Sequence, residues 1–219
     1  MTVPVKYNYG SFLMGDGTTK LVPTTELGFL DGDMFIISCQ YDQSQVTANS
    51  TSIPVTLLST PLCIDPKNNE GLTQTKAEPT NPLYSLDKQQ SSLVYYDKNT
   101  IVLTMPYWVK VTNSSVEDSE LKKHSFVLSY DPTTMKDTDT KLKLYISHVV
   151  DDAGETVTRS NFTYAYRAYS IRAALTVFKE KTGKLPKYLE LTAKTNSSKD
   201  ELKEESGETS VEYDYAFTE

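Results

Sequence analysis

Two histidines, two cysteines and one tryptophan are the side chains here whose types most readily do chemistry. His124 and His148 would carry the protons of any acid–base or nucleophilic site, because imidazole is the side chain that ordinarily changes charge near neutral pH. Each continues an apolar strand face: His124 with Phe126, Leu128 and Tyr130, and His148 with Leu142, Leu144 and Ile146. That placement predicts packed, hydrogen-bonded histidines. No GxSxG, HExxH or Cys–His motif offers them a nucleophile or a metal, so no catalytic residue is assigned and no enzyme is expected.

Cys39 shares a face with Phe35, Ile37 and Tyr41, which predicts a buried free thiol; a disulfide to Cys63 is the alternative and would imply an oxidising compartment. The spacing excludes CxxC redox and zinc patterns. Acidic runs at Asp31/Asp33, Asp137/Asp139 and Asp151-Asp152-x-Gly154-Glu155 fit turn chemistry, and none matches an EF-hand loop, so neither metal nor cofactor is expected. Trp108 falls on the even face of its strand with Thr104 and Lys110. It is the one candidate ligand-binding residue, able to stack on a sugar or anchor a protein if exposed, with packing beneath a loop or another lobe as the alternative.

The elements that must position these groups read as strands. From Ile101 to Val111 every odd residue is apolar, which predicts a strand with one wet face, and period two returns at 124–130, 141–150, 162–177, 188–193 and 211–217. Within 162–177 the apolar phase switches from even to odd, so a β-bulge near Ala168–Tyr169 is expected, with strand continuing through Val177. A helix over 171–182 is the rival, since Ile171, Ala174, Leu175 and Phe178 fit helical spacing and Gly183 could end it.

The fold class expected is all-β, a small OB-like barrel followed by an antiparallel β-sandwich. Residues 1–66 hold short strands joined by Gly/Asp turns, the pattern of a closed barrel that hides its edges. Residues 67–92 are polar and proline-bearing and read as a linker or a wrapped loop, and 93–219 form the sandwich. Asn196–Ser210, charged and Gly/Ser-containing, reads as a mobile hairpin loop before a last strand Val211–Phe217.

Net charge is −7. An acidic chain is a poor partner for phosphate-rich surfaces, so no nucleic acid and no anionic membrane is expected to bind it directly. The first residues, MTVPVKYNYG, lack the regions of a signal peptide, which leaves a cytosolic protein or one whose export segment has been removed.

Several stretches are similar to the NigD-like family of exported lipoproteins from Gram-negative anaerobes: TTELGFLDGDMFIISC in the first lobe, then ELKKHSFVLSYD, KLKLYISHVVDDAGE and FTYAYRAYSIRAALTVF in the second. The resemblance implies an OB-like domain followed by a β-sandwich, made as a lipid-anchored precursor for the periplasm or cell surface. Membrane contact would then come only through that removed anchor, and the partner would be an unknown protein or glycan at the envelope. A carbohydrate-binding or adhesin-type module is the alternative function. A hydrolase with its site between the lobes is a third, and would need a deep cleft with converging carboxylates of raised pKa.

Overall fold

A computed structural model describes residues 1–64, 74, 81–198 and 207–217. The first lobe contains β1 (Thr2–Asn8), β2 (Ser11–Leu13), β3 (Lys20–Pro23), β4 (Met34–Gln40), β5 (Ser52–Leu57) and β6 (Leu62–Ile64). Neighbouring strands run β1-β2-β3-β5-β4, and β4 pairs back onto β1, so the sheet closes. β3 and β5 pair parallel; β1–β2, β2–β3, β4–β5 and β1–β4 pair antiparallel. This is the connectivity of an OB barrel. Val5, Phe12, Leu21, Phe35, Ile37, Cys39 and Val55 fill it. Cys39 is buried there and Cys63 is exposed on β6, and no disulfide joins the two.

The second lobe contains β7 (Ser92–Asp97), β8 (Thr100–Val109), α1 (Asp118–Leu121), β9 (His124–Ser129), β10 (Lys141–Val150), β11 (Asn161–Ser170), α2 (Arg172–Thr182), β12 (Tyr188–Thr195) and β13 (Gly207–Asp214). One sheet runs β11-β8-β7 and the other β13-β12-β10-β9. Their facing side chains, among them Leu103, Met105, Tyr107, Phe126, Leu128, Leu144 and Leu191, form one apolar interior. Tyr169 ties the sheets directly, its hydroxyl donating to the Phe126 carbonyl at 3.0 Å.

Four sequence expectations change. The strand predicted through Val177 stops at Ser170, and the rival helix forms as α2. β11 stays in unbroken register with β8 from Asn161↔Val109 to Ser170↔Thr100, so no bulge causes the phase switch. Beyond Ser170 it is the apolar residues at helical spacing that reach the interior, with Ala174, Leu175 and Phe178 buried. Gly183 then ends α2 in the left-handed region at φ 73°, its N–H meeting the Lys179 carbonyl.

Second, β10 and β12 pair parallel, because β11 and α2 intervene and carry the chain over and back; the other pairs in the sandwich are antiparallel. Third, β8 has no continuous wet face. Its even residue Val102 packs with Met34, Ile64, Tyr96 and Ala168 where the barrel meets the sandwich, and Trp108 is covered by the segment before β7. Fourth, the last strand begins at Gly207, so the charged loop ends earlier than expected; its 199–206 portion lies outside the described residues.

Most of the polar stretch 67–80 also lies outside the described residues. From Asn81 onward the chain is knitted to the sandwich: Asn81 N–H donates to the His148 carbonyl at 2.9 Å, and Leu83 and Leu86 join the sandwich core.

Barrel and sandwich also touch at the β2–β3 turn. The Tyr96 hydroxyl donates to the Met14 carbonyl at 3.3 Å, and a Cβ built on Gly15 would lie 1.3 Å from the Tyr96 carbonyl oxygen. Gly15→Ala must therefore push the turn off the sandwich. We expect a loss of about 1–3 kcal/mol in urea unfolding. Gly28→Ala, at a glycine with open space around it, serves as the near-neutral control; equal effects from the two would refute the close approach.

Candidate functional site

The two histidines meet. β9 and β10 pair so that His124 lies opposite Val150 and His148 opposite Phe126, which stacks the imidazoles with ring centroids 5.2 Å apart. His124 Nδ1 and His148 Nε2 are 2.9 Å apart, and His148 Nδ1 is 3.1 Å from the Pro82 carbonyl. His124 Nε2 faces Glu120 Oε1 at 3.2 Å. Glu120 belongs to α1, four residues before His124.

Arg159, in the loop between β10 and β11, closes the cluster with a side chain that is 0% exposed. Its Nε donates to Glu120 Oε1 at 2.6 Å, while Nη1 and Nη2 fork onto the two Asp152 oxygens at 2.8 and 2.6 Å. Lys123 reaches the same Asp152 at 3.4 Å. Six charged or titratable side chains, Lys123 at the edge, are thus joined across α1, β9, β10 and the following loop.

The proton count of this chain is informative. A carbonyl only accepts, so Pro82 draws the proton to Nδ1 of His148, whose Nε2 then accepts from Nδ1–H of His124. The contact of His124 Nε2 with Glu120 asks for a third proton, and two neutral imidazoles carry two. Protonating His124 would supply it, but burial pulls the His124 pKa below its ordinary value against the opposing hydrogen bond from Glu120. Burial, with the neighbouring His124, pushes His148 down to about 3. Both rings are therefore neutral at pH 7.

Glu120 is satisfied by other donors, since Oε1 also accepts the Lys110 N–H at 3.0 Å. Burial alone would raise its pKa; the bonds from Arg159 and the Lys110 N–H outweigh that and hold it below the ordinary carboxylate value. The Arg159 hydrogen bonds depress Asp152 likewise.

Tyr107 and His124 also line a cleft of about 490 Å³ at the edge of the sandwich, bordered by β11, the α1–β9 corner and Cys63 of the barrel. Ser125 and Cys63 are nucleophile types at its wall, yet no base is aimed at either. His124 Nδ1 is given to His148 and its Nε2 faces the Glu120 carboxylate within the cluster, and the Cys63 thiol donates to the Asp31 carbonyl at 3.5 Å. The cleft has one carboxylate, Asp118, so the converging acids of an interlobe hydrolase are not what lines it. Among the described residues no three His, Cys, Asp or Glu side chains converge as metal ligands.

Trp108, the candidate from sequence, is 2% exposed. Its Nε1–H donates to the Asn196 carbonyl at 2.7 Å, and Tyr84 meets it edge-on with centroids 4.9 Å apart. The exposed Trp needed for stacking on a sugar is absent because residues 81–91 fold over this face, with Tyr84 N–H on the Pro106 carbonyl at 3.0 Å. Rings do reach the surface beside it: Phe162 stacks on Tyr84 at 4.3 Å, and Phe162 and Tyr164 are exposed.

Of the acidic runs, Asp139 and Asp151 accept backbone N–H groups in their turns, as expected, while Asp152 departs to hold Arg159. Glu120 and Arg159 were not singled out from sequence. The available signals were the Glu-x3-His spacing at 120–124 and the scarcity of arginine, for the chain has only Arg159, Arg167 and Arg172.

No family model and no curated protein matches the chain. Solved structures do. A structure from Bacteroides fragilis named as a putative lipoprotein is similar over 100% of this chain and 99% of its own, with 29% identity and a TM-score of 0.75. An uncharacterized protein from Parabacteroides merdae shares the fold over 99% of this chain and 100% of its own, at 15% identity and a TM-score of 0.53. A NigD-like immunity protein from Bacteroides caccae matches 97% of this chain and 95% of its own at 11% identity and a TM-score of 0.47. The whole-length match to the B. fragilis structure supports the likeness to exported lipoproteins seen in the sequence.

Proposed function

We propose that this chain, sharing the fold of the B. fragilis structure, is a non-catalytic accessory or binding protein of the bacterial cell envelope, delivered as a lipid-anchored precursor. The carrying observation is the closed cluster of Glu120, His124, His148, Asp152 and Arg159, whose members bind one another and pin the sandwich edge instead of activating a nucleophile. The whole-length match supports the compartment. Its partner is a protein or glycan of the envelope, and the acidic balance argues against nucleic acid.

The test is metabolic labelling of source cells with an alkyne-tagged fatty acid, followed by fractionation and external protease. Label retained on the membrane-bound protein is the expected result, and protease access separates surface from periplasm. Unlabelled protein in the cytosolic fraction would overturn the reading.

The exposed Phe162 and Tyr164 beside Tyr84 favour a second reading, a glycan-binding surface. A glycan array probed with the protein and with Phe162→Ala/Tyr164→Ala decides it. Loss of a specific signal in the variant supports sugar stacking, and a blank array refutes it.

A further inference from the structure

Arg167 on β11 is a half-buried arginine that the buried cluster does not use. It lies in the wall of the 490 Å³ cleft, with its Cζ 5.3 Å above the Phe126 ring and Nη1 donating to the Tyr166 carbonyl at 2.9 Å. Seating on an aromatic face fixes the plane of a guanidinium and leaves its edges for hydrogen bonds. Nε is buried and has no hydrogen-bond partner. No carboxylate forms an ion pair with Arg167 among the described residues, in a chain whose other deeply placed arginine, Arg159, has two.

A second polar group stands at the same place. Tyr107 is 3% exposed, lines the cleft and stands close enough for the Arg167 charge to act on its phenol. A guanidinium with no carboxylate partner among the described residues and a phenol on the wall of the same cleft offer donors to an acceptor from outside.

We propose that this cleft binds a small monocarboxylate with an apolar body, its oxygens accepting from Nη2 of Arg167 and from the Tyr107 hydroxyl. A charge-assisted guanidinium N–H and a phenol O–H give the two carboxylate oxygens one donor each. Leu121, Tyr164 and Tyr166 supply apolar wall, and the volume suits a small molecule. The single guanidinium balances a single charge, with Lys122 and Asp118 at the rim offsetting one another; a phosphate dianion would be left half-neutralised. This inference rests on the binding-protein reading and gives it a ligand class.

The test uses the intact protein with acetate, phenylacetate and octanoate, and with uncharged phenylacetamide as control, followed by the Arg Nε–H resonances in 15N–1H spectra. The expected result is a saturable shift of the Arg167 resonance with the carboxylates, tighter for the two with apolar bodies, and none with phenylacetamide. Affinity should fall at least tenfold in Arg167→Gln, less in Arg167→Lys, and a few-fold in Tyr107→Phe. Thermal melts confirm that each variant is folded, and Arg167→Lys keeps the charge if the Gln variant is not. As an independent readout, bound carboxylate should slow alkylation of Cys63, which borders the same cleft. The proposal falls if no carboxylate moves the Arg167 resonance at millimolar concentration, or if folded Arg167→Gln or Arg167→Lys binds as well as the parent. The spectra do not depend on where the protein resides, so this failure is distinct from a failure of the fatty-acid labelling.

Discussion

Arg159→Met is expected to remove about 3–5 kcal/mol of stability, much of the 5–15 kcal/mol that typically holds a domain together. The methionine fills much of the arginine volume, so the loss comes from charge. Glu120 and Asp152 would be left without the guanidinium that supplies Nε at 2.6 Å to one and a two-pronged contact to the other. Urea unfolding at pH 7.5 measures the loss. Arg159→Lys should fall between, since an ammonium cannot span both acids with the same fork. Adding Glu120→Gln and Asp152→Asn to Arg159→Met should restore a large part, because the uncompensated charges are then gone. A loss below about 1 kcal/mol in the single variant would mean that the cluster does not pin the fold.

Stability should also fall on acidification, beginning near pH 6.5. The sign follows from the histidines, whose folded pKa values lie below the ordinary 6.5. Below that pH the unfolded chain takes up a proton that the native His148, at about 3, refuses. Unfolding is then coupled to proton uptake, and each such group steepens the loss by about 1.4 kcal/mol per pH unit. His148 contributes down to its folded pKa. His124 acts in the same direction. The contributions of Glu120 and Asp152, both depressed, are full above their ordinary values of 4.5 and 3.8 and are lost as the pH drops through their lower folded ones. Urea midpoints at pH 7.5, 6.0 and 5.0 should therefore descend, with little change from 7.5 upward. His124→Gln/His148→Gln, less stable at pH 7.5, should show a shallower descent between 6.5 and 4.5. A parallel descent in that variant would place the titration elsewhere.

The barrel and sandwich were legible because alternation survives wherever one strand face is buried, as at Phe35, Ile37 and Cys39 or at Leu142, Leu144 and Ile146. Alternation fails to say what covers the other face. Trp108 read as exposed because its neighbours Thr104 and Lys110 are polar; the segment that buries it comes from more than twenty residues away and carries little apolar pattern of its own beyond Leu83, Tyr84 and Leu86. The helix α2 was ambiguous for a local reason, since Ile171, Ala173, Leu175 and Val177 alternate while Ile171, Ala174, Leu175 and Phe178 share a helical face; the second set is buried throughout, whereas Ala173 of the first is exposed. Of the site, the histidines were visible as strand-face residues. Their mutual contact was not, because it depends on the β9–β10 register, and Arg159 sits in a loop with no periodicity to read.

The parallel pairing of β10 with β12 bears on how the chain acquires its structure. β10 can zip onto β9 as a local hairpin, but its other flank stays bare until β11 has joined the opposite sheet and α2 has turned the polypeptide round. Contacts so distant in sequence must overcome loop-closure entropy before they return any energy, which places acquisition of the native state among the slower, millisecond-to-second processes. Until β12 arrives, β10 offers an open row of amide and carbonyl groups to any other extended chain nearby.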